Sequence, residues 1–78
     1  MDYDTDRVDD ATLALMSLGI HGDRESTRAW KGFDWGALDR LHARGYISDP
    51  QSKARSVALS PGGIERSRVL FDRLFGRG

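Results

Sequence analysis

The chain of 78 residues contains no cysteine. This absence excludes disulfide bonds, a cysteine nucleophile and any zinc site with cysteine ligands. A chain without cysteines suits a reducing compartment, so we expect a cytoplasmic protein.

Long apolar runs and a cleavable leader are also missing. No apolar stretch approaches the roughly 20 residues that a helix needs to cross a bilayer. No charged, apolar and small-residue leader opens the chain. We therefore expect a protein that is not exported and that has no membrane partner.

Recognisable catalytic and metal-binding signatures are absent as well. His21 and His42 are far apart and lack further ligands at metal spacing. Gly62 and Gly63 lack the lysine and the spacing of a phosphate-binding P-loop, and no serine stands in a nucleophile elbow. We expect no enzyme activity, no catalytic residues, no cofactor and no metal.

The chain also has no net charge, since 12 basic residues balance 12 acidic ones. A neutral chain argues against strong nucleic-acid binding. The charges are nevertheless uneven: residues 1–26 hold seven acidic and two basic side chains, whereas residues 27–78 hold five and ten. This asymmetry indicates a polyanion partner or charge pairing between subunits, although ordinary charge preferences at helix ends account for part of it.

The length predicts one domain over residues 1–78. A chain of this size buries only about 60 to 65% of its unfolded surface, so its stability is marginal. Homodimerisation would add buried area, and a second copy of the chain is therefore one of the predicted partners.

Helix 1 is predicted over residues 5–18 and ends at Gly19. Asp9 and Asp10 lie near its start, where the positive end of the helix dipole favours carboxylates. The predicted apolar stripe follows three- and four-residue spacing and is widened by three further residues. Its members are Val8, Ala11, Thr12, Leu15 and Leu18, with Leu13, Met16 and Ile20 widening it.

Helices 2 and 3 are predicted from their caps. Asp34 is placed to cap helix 2, and Gly45 supplies the left-handed residue that ends it. Ser60 followed by Pro61 is a strong start for helix 3, and Gly76 is its predicted end.

The strand signals are shorter. Residues 27–32 alternate like a strand, but a single helical turn fits them almost as well. Residues 46–47 and 55–59 predict two strands of a hairpin, and residues 49–54 form the exposed loop between them.

This order of elements resembles the winged-helix layout. A helix ends in RGYI, a polar turn follows, and a short strand ends in LSPGG before the last helix. The resemblance implies an α+β, winged-helix-like fold with the order helix, short strand or turn, helix, two-stranded wing, helix. In that fold helix 2 would be the recognition helix, but only residues 21–31 could supply the preceding helix that braces it on DNA.

Three further segments narrow the resemblance: RAWKGFDW (residues 28–35), LDRLH (residues 38–42) and GYISDP (residues 45–50). Together they resemble a family of small, uncharacterised bacterial proteins that carry a domain of unknown function. The resemblance covers nearly the whole chain and implies no established activity, cofactor or functional residue.

Four basic residues are the candidate nucleic-acid contacts: Arg40, Arg44, Lys53 and Arg55. Arg40 and Arg44 share a predicted outward stripe of helix 2, where arginine could hold phosphate or guanine. Lys53 and Arg55 belong to the predicted wing. The alternatives are a solvated helix face for the first pair and protection against strand aggregation for the second.

Two apolar clusters complete the candidates. Trp30, Phe33 and Trp35 could form a ligand pocket or a base-stacking platform, but in a small domain they more often form core. The end of helix 3 offers a dimerisation surface, with packing against helix 1 as the alternative. Its residues are Leu70, Phe71, Leu74 and Phe75.

These observations leave two functions open. The first is weak binding of nucleic acid, DNA above all, in a regulatory role. The second is a protein–protein interaction module that keeps the winged-helix scaffold without binding DNA. A continuous positive face would favour the first, and a mixed face with an exposed apolar patch would favour the second.

Overall fold

A computed structural model of the chain describes residues 2–22 and 27–77. Three helices and three strands occupy this part of the sequence. In chain order they are α1 (Thr5–Met16), β1 (His21–Gly22), β2 (Thr27–Trp30), α2 (Trp35–Ala43), β3 (Ser56–Ala58) and α3 (Pro61–Phe75). The architecture is α+β and is compatible with a winged-helix-like fold.

The helix starts follow the predicted capping residues. The Asp34 carboxylate accepts the amide hydrogen of Ala37 at 3.1 Å, and the Ser60 hydroxyl accepts that of Gly63 at 3.0 Å. Gly45 has a φ of +79°, the left-handed conformation that ends α2. Each of these interactions lies within a few residues in sequence, so the local pattern determines it.

Helix α1 is shorter than predicted and buries only part of the predicted stripe. It ends at Met16 and continues as a single 3₁₀ turn, Ser17–Gly19. Leu15 and Leu18, which the predicted stripe contained, are exposed. The buried residues of α1 are Asp9, Thr12, Leu13, Ala14 and Met16. The stripe prediction was therefore wrong at Leu15 and Leu18, and the buried face also includes the carboxylate of Asp9.

The sheet has the order β1-β2-β3, and both pairs are antiparallel. Residue Ile47 forms a bridge with Leu59, so the start of the predicted wing lies on the other side of β3. The strand alternative for residues 27–32 is thus confirmed over Thr27–Trp30. In the described ranges no brace helix lies between α1 and α2, because β1 and β2 occupy that position.

One apolar core lies between the helices and one face of the sheet. Ala29 of β2 pairs with Val57 of β3, and both side chains point into it. The core residues are Leu13, Ala14, Met16, Ala29, Leu38, Leu41, Ile47, Val57, Leu59 and Leu70. Helix α3 packs mainly along α1, whereas Trp35 at the start of α2 and Trp30 of β2 are exposed.

Candidate nucleic-acid interface

Arg40 of α2 faces α1 rather than open solvent. Its Nε and Nη2 donate to the two carboxylate oxygens of Asp9 at 2.7 and 2.8 Å. Asp9 is 0% exposed, and 34% of the Arg40 side chain remains exposed. This hydrogen-bonded pairing raises the pKa of the Arg40 guanidinium above its usual value. The planar fork that could grip phosphate is therefore already occupied by a buried carboxylate.

Gly36 gives Arg40 the room to make this contact. A Cβ at position 36 would lie 3.3 Å from Nη1 of Arg40 and 3.1 Å from Oδ2 of Asp34. Both distances are tighter than an ordinary van der Waals contact. The absence of a side chain at Gly36 thus accommodates a contact between two helices of the same chain.

Arg44 forms a second pair with α1, but in an exposed position. Its Nη2 donates to Oδ1 of Asp6 at 3.0 Å, and the two side chains are 43% and 78% exposed. Exposed pairs of this kind contribute little to stability, so Arg44 can exchange Asp6 for another anion at small cost. The opposite charges of the two sequence halves are partly neutralised here, between α1 and α2 of one chain.

Lys53 and Arg55 lie on the long loop before β3. Both residues are exposed, and neither takes part in an ion pair with any residue of the described ranges. Of the four predicted contacts, these two carry a positive charge that no carboxylate of the described chain holds. The structure therefore separates the four residues into a helical pair and a loop pair.

Lys31 holds this loop against the start of α2. Its ammonium donates to the carbonyl oxygens of Pro50 and Ser52 at 2.8 and 2.6 Å. The same ammonium lies 5.9 Å from the centre of the Trp35 ring, within the range of a cation–π contact. The amide of Lys31 also donates to the carbonyl of Arg55 at 3.2 Å. One residue thus connects the loop, the end of β2 and the first residue of α2.

The two tryptophans are exposed rather than buried. Trp30 is 58% and Trp35 is 54% exposed, so the prediction that they form core was wrong. Trp30 points away from the core because its strand neighbour Ala29 points into it. Trp35 is the first residue of α2, where its side chain extends past the core. Only Phe33 of the three predicted core aromatics packs against the core.

We name the surface formed by Lys31, Trp35, Lys53 and Arg55 the aromatic–basic edge. The sequence suggested its aromatic and its basic members as two separate features. The contacts of Lys31 bring them to the same end of the sheet. No short-range sequence signal reports this, because 15 residues or more separate Lys31 from its loop partners.

Arg28 extends the outer face of the sheet next to this edge. It donates from Nε to the hydroxyl of Ser56 at 2.7 Å and from Nη2 to the carbonyl of the same residue at 2.8 Å. Its partners are neutral oxygens, so its positive charge is not cancelled by these contacts. No pattern in the sequence distinguishes Arg28 from the other arginines.

The predicted dimerisation residues occupy different environments. Leu70 is 2% exposed and belongs to the core, so it does not offer a surface to a second copy. Phe71 is partly buried against the core, and its ring centre lies 5.4 Å from that of Phe75. Leu74 and Phe75 are exposed. Dimerisation stays a prediction, and the exposed end of α3 is the part of the surface that could serve it.

Residues 2–22 and 27–77 contain neither a membrane-spanning helix nor a metal-binding cluster. No helix there combines the length and the apolar character required to cross a membrane. No three metal-ligating side chains of these residues come together.

Comparison with known proteins places the chain among small bacterial proteins. Residues 4–77 match the family described as "Domain of unknown function (DUF6429)". A protein of Sinorhizobium fredii (strain NBRC 101917 / NGR234), "Uncharacterized protein y4hR", is 52% identical over 77 residues, which are 99% of this chain and 100% of that protein. No solved structure matches.

Proposed function

The chain belongs to this small bacterial family of unknown function, and we propose that its domain binds nucleic acid weakly, through the aromatic–basic edge rather than through α2. This is a binding role and not a catalytic one. The observation that supports the proposal is that two of the four candidate cations are in ion pairs and the other two are not. Arg40 and Arg44 are paired with carboxylates, whereas Lys53 and Arg55 are exposed without an ion pair in the described chain.

The neutral net charge does not oppose this proposal, because several of the acidic residues are engaged in ion pairs and helix caps elsewhere in the chain. Asp9 and Asp6 neutralise the two arginines of α2. The carboxylates of Asp4 and Asp34 accept hydrogen bonds at the starts of α1 and α2. Of the four candidate cations, this pairing leaves Lys53 and Arg55 available to a phosphate backbone.

The salt dependence of binding tests which cations take part. Each phosphate neutralised on duplex DNA contributes about −0.9 to the slope of log K against log salt concentration. Contacts from Lys53 and Arg55 alone give a slope near −1.8, whereas contacts from all four candidates give about −3.6. Fluorescence anisotropy with a labelled mixed-sequence duplex, titrated at several salt concentrations, measures this slope.

Charge-matched variants provide the control. Lys53→Gln with Arg55→Gln removes two charges from the edge, and Arg73→Gln with Arg77→Gln removes two from the exposed end of α3. We expect the first double variant to abolish binding and the second to leave it nearly unchanged. Equal losses in both would mean that net charge alone drives binding, and no binding by the wild type at low salt would end the proposal.

A protein–protein interaction module is the second candidate. Its supporting observation is an open cleft of about 340 Å³ between α1 and the end of α3, with exposed Leu74 and Phe75 in its lining. Arg7, Asp10 and Ala11 form the opposite side, so the cleft is apolar with a mixed charged rim. Such a surface suits a protein partner better than a polyanion.

A pull-down from the native cell, with and without nuclease treatment, distinguishes the candidates. Partners that survive nuclease and disappear with Phe75→Ser favour the interaction module. Partners that are captured without nuclease and lost after nuclease treatment favour the nucleic-acid-binding function. Homodimerisation is a separate question, and light scattering that gives a monomer mass at high concentration would refute it.

A further inference from the structure

We infer that the chain forms a two-fold symmetric homodimer through the α1–α3 face, which we define as Ala11, Leu15, Leu18, Phe71, Leu74 and Phe75. The face includes the cleft that supports the second candidate function, and the inference assigns that cleft to a second copy of the chain. It goes beyond nucleic-acid binding and does not depend on it.

The exposed apolar residues of α1 and α3 form one surface. Leu74 and Phe75 line a cleft with Ala11 of α1. Leu15 and Leu18 follow Ala11 by four and seven residues, so they lie on the same side of α1 and its 3₁₀ extension. Leu15 is 40% exposed and Leu18 is 71% exposed. Apolar side chains of two helices that pack together thus remain in solvent side by side.

A second cleft continues this surface along α3. It has a volume of about 370 Å³ and lies between Phe71 and Asp72 of α3 and two residues after α1, Ser17 and Ile20. Phe71 in this cleft and Phe75 in the first are in ring contact, with their centres 5.4 Å apart. The two clefts are therefore neighbours along one side of α3, and one partner can cover both.

Charge complementarity identifies a second copy as the partner. Arg7 and Asp10 line the first cleft, and Arg68 and Asp72 line the second. Within the described ranges none of these four side chains takes part in an ion pair. A two-fold interface brings the same patch of both copies together, so Arg7 of each copy can face Asp10 of the other. A rim with one charge of each sign is thus self-complementary, whereas it offers no net attraction to a strongly charged partner.

The exposed area of the chain also matches what a dimer needs. A folded monomer of 8.7 kDa exposes about 4,700 Å² on the usual scaling of surface area with mass. This chain exposes 5477 Å² and is flat, with extents of 33 × 32 × 19 Å. The excess is roughly 750 Å². Each partner in an interface of standard size buries about 800 Å², so one such interface accounts for the excess.

Light scattering coupled to size-exclusion chromatography measures the mass of the unmodified chain over a range of concentrations. We expect twice the 8.7 kDa of one chain at high concentration. Leu18→Ser and Phe75→Ser should each raise the dissociation constant of the dimer about 30-fold, which corresponds to the loss of about 2 kcal/mol at an interface anchor. Val69→Ser is the matched control, because Val69 is 44% exposed on α3 but lines a different cleft, with Tyr46 and Glu65. It should leave the mass unchanged.

Charge-reversed variants test whether the partner is a second copy. Arg7→Asp leaves two acidic side chains on the rim of the first cleft, and Asp10→Arg leaves two basic ones. Each variant alone should be a monomer at concentrations where the unmodified chain is a dimer, because like charges then face each other across the interface. An equimolar mixture of the two variants should dimerise again, since opposite charges face each other once more. Far-ultraviolet circular dichroism checks that every variant is folded.

The outcomes are separate from those of the nucleic-acid experiments, because no oligonucleotide is present. A monomer mass at all concentrations overturns the inference and leaves the proposed function untouched. Equal weakening by Val69→Ser overturns the α1–α3 face as the interface, and so do charge-reversed variants that dimerise alone or fail to pair when mixed. A monomeric chain that captures a different protein through Phe75 would assign the face to the second candidate function instead.

Discussion

Substituting alanine for each of the two adjacent glycines at the start of α3 should change the stability of the protein in opposite directions. A Cβ on Gly62 would have only the Ser60 hydroxyl oxygen within 4 Å, at 3.9 Å. A Cβ on Gly63 would overlap the carbonyl oxygen of Tyr46 and lie 2.9 Å from its carbonyl carbon. The two positions share a helix turn and a residue type, so each is the control for the other.

The magnitudes follow from these contacts. Gly62→Ala removes freedom from the unfolded chain without a clash and should stabilise by about 0.5 to 1 kcal/mol. Gly63→Ala must push α3 away from Tyr46, an overpacking that costs about 1 to 3 kcal/mol. It also strains the 3.0 Å hydrogen bond from the Ser60 amide to the same carbonyl. A net loss of about 3 kcal/mol is expected once that bond is weakened.

Thermal denaturation followed by circular dichroism measures both effects. For a domain of this size, 1 kcal/mol corresponds to about 4 to 8 °C in Tm. Gly62→Ala should therefore raise Tm by about 4 °C, and Gly63→Ala should lower it by about 15 °C. A Gly63→Ala protein as stable as Gly62→Ala would refute the close approach of α3 to the segment that carries Tyr46, next to the bridge between Ile47 and Leu59.

Three further perturbations test the helix contacts and the edge. Asp9→Asn should lower Tm by clearly more than Asp6→Asn, because Asp9 is buried against its arginine while Asp6 is exposed, and parallel melting curves compare them. Gly45→Ala should cost about 1 to 2 kcal/mol in urea denaturation, since φ at this position is +79° and the left-handed conformation disfavours a Cβ. Lys31→Met should free the loop carbonyls and speed tryptic cleavage after Lys53, whereas unchanged cleavage would show that the lysine does not anchor the loop.

The sequence predicts the parts of this fold that depend on near neighbours. Asp34 and Ser60 cap their helices across three residues, and Gly45 sets its own backbone conformation. These signals fixed the bounds of α2 and the start of α3. The strand at residues 27–30 was one of two predicted alternatives, because four residues carry too little periodicity to exclude a helical turn.

The candidate site depended on distant contacts and was predicted only in part. Asp9 is buried because Arg40, 31 residues away, supplies two hydrogen bonds to it. A carboxylate that shares a helix face with Leu13 and Met16 was the available signal, since residues four and seven positions apart lie together. The exposure of Trp35 depends on where α2 begins relative to the core, and spacing alone does not report that.

The ion pairs between α1 and α2 change what the charge asymmetry of the sequence means. A polyanion that took Arg40 would have to leave the carboxylate of Asp9 buried without its partner, and an uncompensated buried charge is costly. Arg44 could move from Asp6 to a phosphate with little loss, because both groups are already in water. Helix α2 can therefore contribute at most a secondary contact to an anionic ligand. Under the proposed function the first contact comes from cations that break no ion pair on binding. In the described chain Lys53 and Arg55 meet that condition, on the loop that Lys31 connects to Trp35.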